Sequence, residues 1–369
     1  MRSGRTRTGR ASAALAVAAS LSACGGNALV PRTTDGPAWV VVPASLAGVR
    51  DGRARFRQAF CDVLREHAAA GAATDDFGRR LVRLSDEPLP AGLIGTHAPA
   101  VAPRPATPLT VAYVLGFGSD CAGQADLVER EMGPFLAALG HPMRVLRVDG
   151  LGSSTSNARA LHDALVATGM PDERVVLIGH SKGAVDALRM LVEHPEVRPR
   201  VAALVSLAGA IGGSPLANAG PQSLLRAAAW VPGLDCAPGD LGAIESLRPA
   251  VRQTWLARHR LPQDVRLYSI ATMPDPARLS PGLVAPYRLL ERIDPRNDGN
   301  VLTQDQVIPG STLLGYLDAD HWAIGADLRA SPNPPVRAAA GGEAFPRRAL
   351  IEAVLRTVAA DLAGSPVSH

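Results

Sequence analysis

Residues 175–183 read Val-Val-Leu-Ile-Gly-His-Ser-Lys-Gly, four branched apolar residues running straight into Gly-x-Ser-x-Gly. A short continuous apolar run predicts a strand buried on both faces. The residues that follow place Val185, Leu188, Leu191 and Val192 on one helical face, so the strand passes into a helix within a single turn. Such a passage tolerates little bulk, and Gly179 and Gly183 on either side of Ser181 remove it. The pattern is that of a nucleophile elbow, which holds a serine hydroxyl on a sharp turn. A serine hydroxyl is a weak nucleophile by itself and needs a base nearby. The adjacent Lys182 is the single lysine of the chain, every other basic side chain except histidine being arginine.

Strand and helix patterns alternate around this point. Strands are predicted at 111–115, 143–148, 174–178, 201–207, 265–272 and 312–317, and helices at 126–139, 156–168, 184–193 and 346–362. Alternation at this spacing predicts an α/β class, with a mostly parallel central sheet covered by helices on both faces. Residues 212–263 interrupt it with a long insertion carrying Leu224, Leu225, Trp230, Val231, Leu234 and Trp255, read as a helical cap over the catalytic face. Upstream, residues 39–108 form an N-terminal extension packed on the main body, with a helix at 51–70 and Asp51 placed as its N-cap. Pro99, Pro103, Pro105 and Pro108 make a stiff connector to the main domain, 109–369.

The N-terminus carries Arg2, Arg5, Arg7 and Arg10 without an acid, then an apolar stretch over 11–21 too short to span a bilayer. This predicts a cleaved export signal over 1–23. Leu-Ser-Ala-Cys at 21–24 resembles the lipobox of bacterial lipoproteins, in which the sulfur of Cys24 would take the lipid. Residues 24–38 would then tether an exported, membrane-anchored enzyme, and Gly25 resembles the outer-membrane version of that signal if the host has one. The formal charge of +4 disappears with the four leader arginines, so nothing argues for nucleic acid as a partner. Cys61, Cys121 and Cys236 remain, an odd number with no metal-ligand spacing; Cys61 with Cys121 is the expected disulfide, leaving Cys236 free, and three unpaired core thiols are the alternative. No cofactor and no metal is expected.

Among nine histidines, His180 lies inside the elbow, and His67, His162 and His194 fall on helix-patterned segments as surface or core fillers. His97, His141, His259 and His369 lie in loops or at the terminus. His321 directly follows the last predicted strand, where a loop can bring an imidazole over the serine. The orienting acid is expected between serine and histidine in chain order: Asp298, before the turn-forming Gly299, with Asp275 and Asp294 as rivals. Two converging amides must hold a developing oxyanion. One is that of Lys182; the other is assigned to Phe117 in the Gly-Phe-Gly turn after the first main strand.

Gly116-Phe117-Gly118, the elbow, the segment 206–217 and the pair Asn297-Asp298-Gly299 with Asp320-His321-Trp322 together resemble the α/β-hydrolase superfamily, in its bacterial lipase and esterase branch. Residues 240–249 also resemble the lid-exit region of such lipases. Leu115 stands where those lipases carry a histidine, and Ala210-Ile211-Gly212-Gly213 replaces a bulkier arginine-containing stretch. The resemblance implies hydrolysis of carboxylic esters of hydrophobic or acyl substrates by Ser181, His321 and Asp298. An acyltransferase or thioesterase using the same residues, and a catalytically silent binding lipoprotein, are the alternatives. The lysine side chain is expected to be exposed, where it would meet an anionic headgroup.

Overall fold

The computed structural model describes residues 48–71, 77–85, 87, 108–167, 174–219, 240–341 and 344–364. Cys24, the tether and the apolar positions 224–234 of the insertion lie outside these residues.

Eight strands form one sheet: β1 (Arg50–Asp51), β2 (Leu81–Val82), β3 (Thr110–Val114), β4 (Met143–Leu146), β5 (Val175–His180), β6 (Val201–Leu207), β7 (Arg266–Thr272) and β8 (Thr312–Leu317). Their order is β1-β8-β7-β6-β5-β3-β4, and every pairing is parallel except β2 with β8. β5 therefore sits in mid-sheet, where all six of its residues are buried, as its unbroken apolar run requires.

The main helices, numbered along the chain, are α1 (Arg53–Ala69), α2 (Gln124–Ala138), α3 (Ser154–Ala167) and α4 (Lys182–Glu193), then the short α5 (Leu216–Ala219) and α6 (Ala243–Ser246). There follow α7 (Pro249–Arg258), α8 (Pro281–Glu291), α9 (Pro334–Ala339) and α10 (Arg347–Ala363). One face of the sheet is covered by Phe56 and Phe60 of α1, Met132 and Leu136 of α2, and Leu350 and Val354 of α10. The other is covered by Leu161 and Leu165 of α3, Leu188 and Leu191 of α4, and Trp255 of α7. Both faces of a parallel sheet must be covered because its strands are apolar throughout.

The N-terminal extension is built into this architecture. β1 and β2 lie along the same edge of β8, β1 beside Thr312 and Leu313 and β2 beside Tyr316 and Leu317. α1 packs against α10 and its Phe56 and Phe60 rings stack with centroids 6.2 Å apart. Gly52, not Asp51, is the N-cap of α1; the Asp51 carboxylate instead accepts from the Arg53 amide at 3.1 Å and pairs with the Arg53 guanidinium at 2.8 Å.

Three further expectations are corrected. Cys121 is disulfide-bonded, but Cys61 is a buried thiol inside α1, so the two are not joined and the partner of Cys121 lies outside the described residues. Trp255 belongs to the body rather than to a cap: its ring is buried against the face built by α3 and α4, its indole N–H donates to Glu193, and Arg252 lies 4.8 Å over its ring. Lys182 is not exposed; its ammonium is buried on the Asp186 carboxylate, one helical turn further on, at 2.8 Å.

Candidate active site

The turn between β5 and α4 is tight enough to force Ser181 to φ 56° and ψ −126°, a left-handed backbone that costs free energy unless its surroundings hold it. Those surroundings are specific. A Cβ on Gly179 would lie 2.5 Å from the Ala184 Cα, and one on Gly183 would collide with the Val114 carbonyl, so neither position accepts a side chain. The backbone beyond β6 clamps the turn from the other side: the Ser181 amide donates to the Leu207 carbonyl at 3.1 Å, and the Ala210 amide donates to the Ser181 carbonyl at 3.2 Å. This is the service performed by the 206–217 segment, whose Ala208 also takes a positive φ of 47°.

His321, in the loop after β8, places its Nε2 2.7 Å from the Ser181 Oγ and its Nδ1 2.7 Å from the Asp298 Oδ2. A carboxylate only accepts, so Nδ1 carries the ring proton and Nε2 is left to accept from the serine hydroxyl. Asp298 is fully buried and receives a dense set of donors. Its Oδ1 accepts from the amides of Asn300 and Val301, and its Oδ2 accepts from the Thr272 hydroxyl at 2.7 Å and the Gln306 amide at 3.1 Å besides His321. Burial alone would raise its pKa, but the charge attraction and hydrogen bond of His321, with those of Thr272 and Asn300, outweigh it and hold the carboxyl below its ordinary value. Gly299, at φ 95°, makes the turn that folds the Asn300 and Val301 amides back onto this carboxylate.

Of the other acids, Asp275 caps a 3-10 turn through the Ala277 amide, and Asp294 pairs with Arg296. Asp298 is the one at His321. The histidine is also fixed through its backbone: its amide donates to the Asp298 carbonyl at 3.0 Å, and its carbonyl accepts from His180 Nε2 at 2.8 Å. His180 stays neutral in this role, because burial first and the neighbouring His321 second push its pKa down to about 3.

Gly116 lies against the elbow so closely that a Cβ there would stand 2.8 Å from the Ser181 Cβ and 3.0 Å from the Lys182 amide nitrogen. The amides of Phe117 and Lys182 thus belong to adjoining turns, and among the described residues neither has a protein acceptor. The Phe117 ring is exposed beside them. Thr272 and Gln306 carry no sequence mark of their own; the position of Thr272 at the very end of β7, the strand before the acid loop, is the one signal that points to it.

The chain matches no family model and no curated sequence. Among solved structures it is similar to a metagenomic carboxyl esterase, MGS0156, at 36% identity over 88% of this chain and 97% of that one, with a TM-score of 0.75. The mature form of the Bacillus licheniformis lipase BlEst2 is 19% identical over 60% of this chain and 87% of that one, with a TM-score of 0.45. The chain belongs to the α/β-hydrolase superfamily, among its esterases and lipases. It is accordingly a serine hydrolase of the esterase and lipase kind.

Proposed function

We propose that this enzyme hydrolyses carboxylic esters of hydrophobic or acyl substrates, with Ser181 as nucleophile, His321 as general base and then acid, and Asp298 as the group that orients the imidazole. The observation that carries the reading is the unbroken chain from the Ser181 hydroxyl through His321 to a buried, multiply bonded carboxylate. Ser181 Oγ attacks the ester carbonyl carbon while its proton passes to His321 Nε2. The carbonyl oxygen becomes an oxyanion held by the Phe117 and Lys182 amides, which lack other acceptors among the described residues. Collapse breaks the bond to the leaving oxygen, which takes the proton from His321 and departs as an alcohol. Water, deprotonated by the same nitrogen, then attacks the acyl-enzyme and releases the carboxylic acid. Asp298 holds Nδ1 protonated throughout and stabilises the transient imidazolium.

The arginine-rich leader and the Leu-Ser-Ala-Cys sequence support export and attachment to a membrane through a lipid on Cys24, and the exposed Phe117 supports apolar acyl groups. No helix among the described residues is long and apolar enough to cross a membrane.

A p-nitrophenyl ester series of rising chain length, run on wild type and Ser181→Ala together with fluorophosphonate labelling, tests the chemistry. Activity and labelling should both vanish in the variant; labelling that persists would assign the nucleophile elsewhere. Incorporation of labelled palmitate that is lost in Cys24→Ala, with turnover on soluble esters unchanged, is the expected outcome for the anchor.

A further inference from the structure

His162, on the C-terminal half of α3, His194, immediately after α4, and Glu196, in the following 3-10 turn (Pro195–Arg200), converge on one point of the surface. Their ligand atoms all lie within 4.8 Å of one another. His162 Nε2 is 3.2 Å and His194 Nδ1 is 3.4 Å from the same carboxylate oxygen, Glu196 Oε1. Zinc binds imidazole nitrogen and carboxylate oxygen at about 2.0–2.1 Å, and the edge of a tetrahedron of that radius is roughly 3.3 Å. The two separations in the protein bracket that edge.

The surroundings of His162 fit the same arrangement. Its other nitrogen, Nδ1, lies 2.8 Å from the Asp163 carboxylate. With the Nδ1 proton given to that carboxylate, the Nε2 lone pair faces the point where His194 and Glu196 converge. A carboxylate behind a metal-bound histidine fixes its ring and tautomer in this way. The His194 ring lies 4.6 Å away, centroid to centroid.

We propose that His162 Nε2, His194 Nδ1 and Glu196 Oε1 form a divalent transition-metal site of zinc type, with the exposed side left to water. α4 begins beside Ser181 and ends at His194, so the site lies a full helix, about 18 Å, from the elbow. Its effect is to tie α3 to the connection between α4 and β6. The site is independent of the ester chemistry proposed above.

Tag-free protein, stripped by chelator and titrated with zinc chloride by calorimetry, should take up one saturating equivalent with a dissociation constant in the micromolar range. Its Tm should rise by about 3–5 °C at a hundredfold excess over that constant. His162→Gln, His194→Gln and Glu196→Gln should each lose the saturating equivalent and the rise in Tm, while metal-free turnover of p-nitrophenyl butyrate stays at the wild-type value in all three. Glu196 is exposed, so Glu196→Gln keeps the test valid should a histidine variant fold poorly. Magnesium should produce no shift, because it favours all-oxygen octahedral ligation. Zinc uptake by Glu196→Gln and His194→Gln equal to that of wild type, or no saturable uptake by wild type below 100 µM, a limit on the order of a hundred times the expected constant, would overturn the site.

Discussion

Removing the side chain of Lys182 should cost stability rather than substrate preference. Its ammonium and the Asp186 carboxylate are both essentially buried and 2.8 Å apart, and Asn157 donates to the same Asp186 oxygen at 2.8 Å while also donating to the Asp149 carbonyl. In Lys182→Met the carboxylate would stay in the interior with a neutral amide as its main partner. Breaking a buried pair from one side costs about 3–5 kcal/mol, because the charge left behind has neither water nor a counter-ion. A domain is stable by about 5–15 kcal/mol in total, so this is at least about a fifth of the usual margin. In urea, with a slope near 3 kcal/mol per molar, the unfolding midpoint should fall by roughly 1–1.7 M. The double variant Lys182→Met/Asp186→Leu removes both charges and should return to within about 1 kcal/mol of wild type. The ratio of turnover on anionic and neutral esters should stay constant, since the backbone amide at 182 survives every substitution except proline. A midpoint shift in Lys182→Met below about 0.3 M, equivalent to less than 1 kcal/mol, or a changed ester ratio, would refute the reasoning.

Asp298→Asn should lower kcat by about 10³–10⁴-fold with KM nearly unchanged, since an amide cannot hold the imidazolium as a carboxylate does; steady-state kinetics check it. The Asp305 carboxyl is pushed up to about 6, by burial first and by the charge of Asp294 second. Its folded pKa lies above the unfolded one, so its charge destabilises the native state increasingly from about pH 4 upward. Asp305→Asn should therefore stabilise by about 1–3 kcal/mol above pH 6 and by nothing near pH 4, read as the difference in Tm across that range.

How much of the fold and site is legible in the sequence depends on how local each feature is. The elbow, the central strands β3 and β5 to β8 and the order of serine, acid and histidine follow from contiguous patterns, and strands 201–207 and 312–317 fall on their predicted limits. β1 and β2 have two residues each, too few for any periodicity to register. Thr272 and Gln306 are 34 positions apart and meet only because β7 and the turn after Val301 converge on Asp298. A lone lysine beside a surface-like serine suggests solvent, although Asp186 stands four positions on from Lys182, the helical spacing of the ion pair the two form. Trp255 lay inside a long insertion and took the reading of its neighbours, while the fold places α7 against the sheet. His162 and His194 were each plausible as helix fillers; their partnership with Glu196 exists only once α3 and α4 are side by side.

The placement of β1 has a consequence for the order in which the molecule can be assembled. Arg50 pairs with Thr312, so β1 must wait for a partner synthesised 262 residues later. Contacts of such sequence separation form late and slowly, because the loop they close costs entropy before the contact repays it. Until then β8, which leads directly to His321, offers a bare edge to any other extended chain. During that interval a nascent molecule can have its elbow already built and its histidine loop still unsupported. By that order the extension would close last, and protein that fails to close it should be lost to aggregation while every residue around Ser181 is intact.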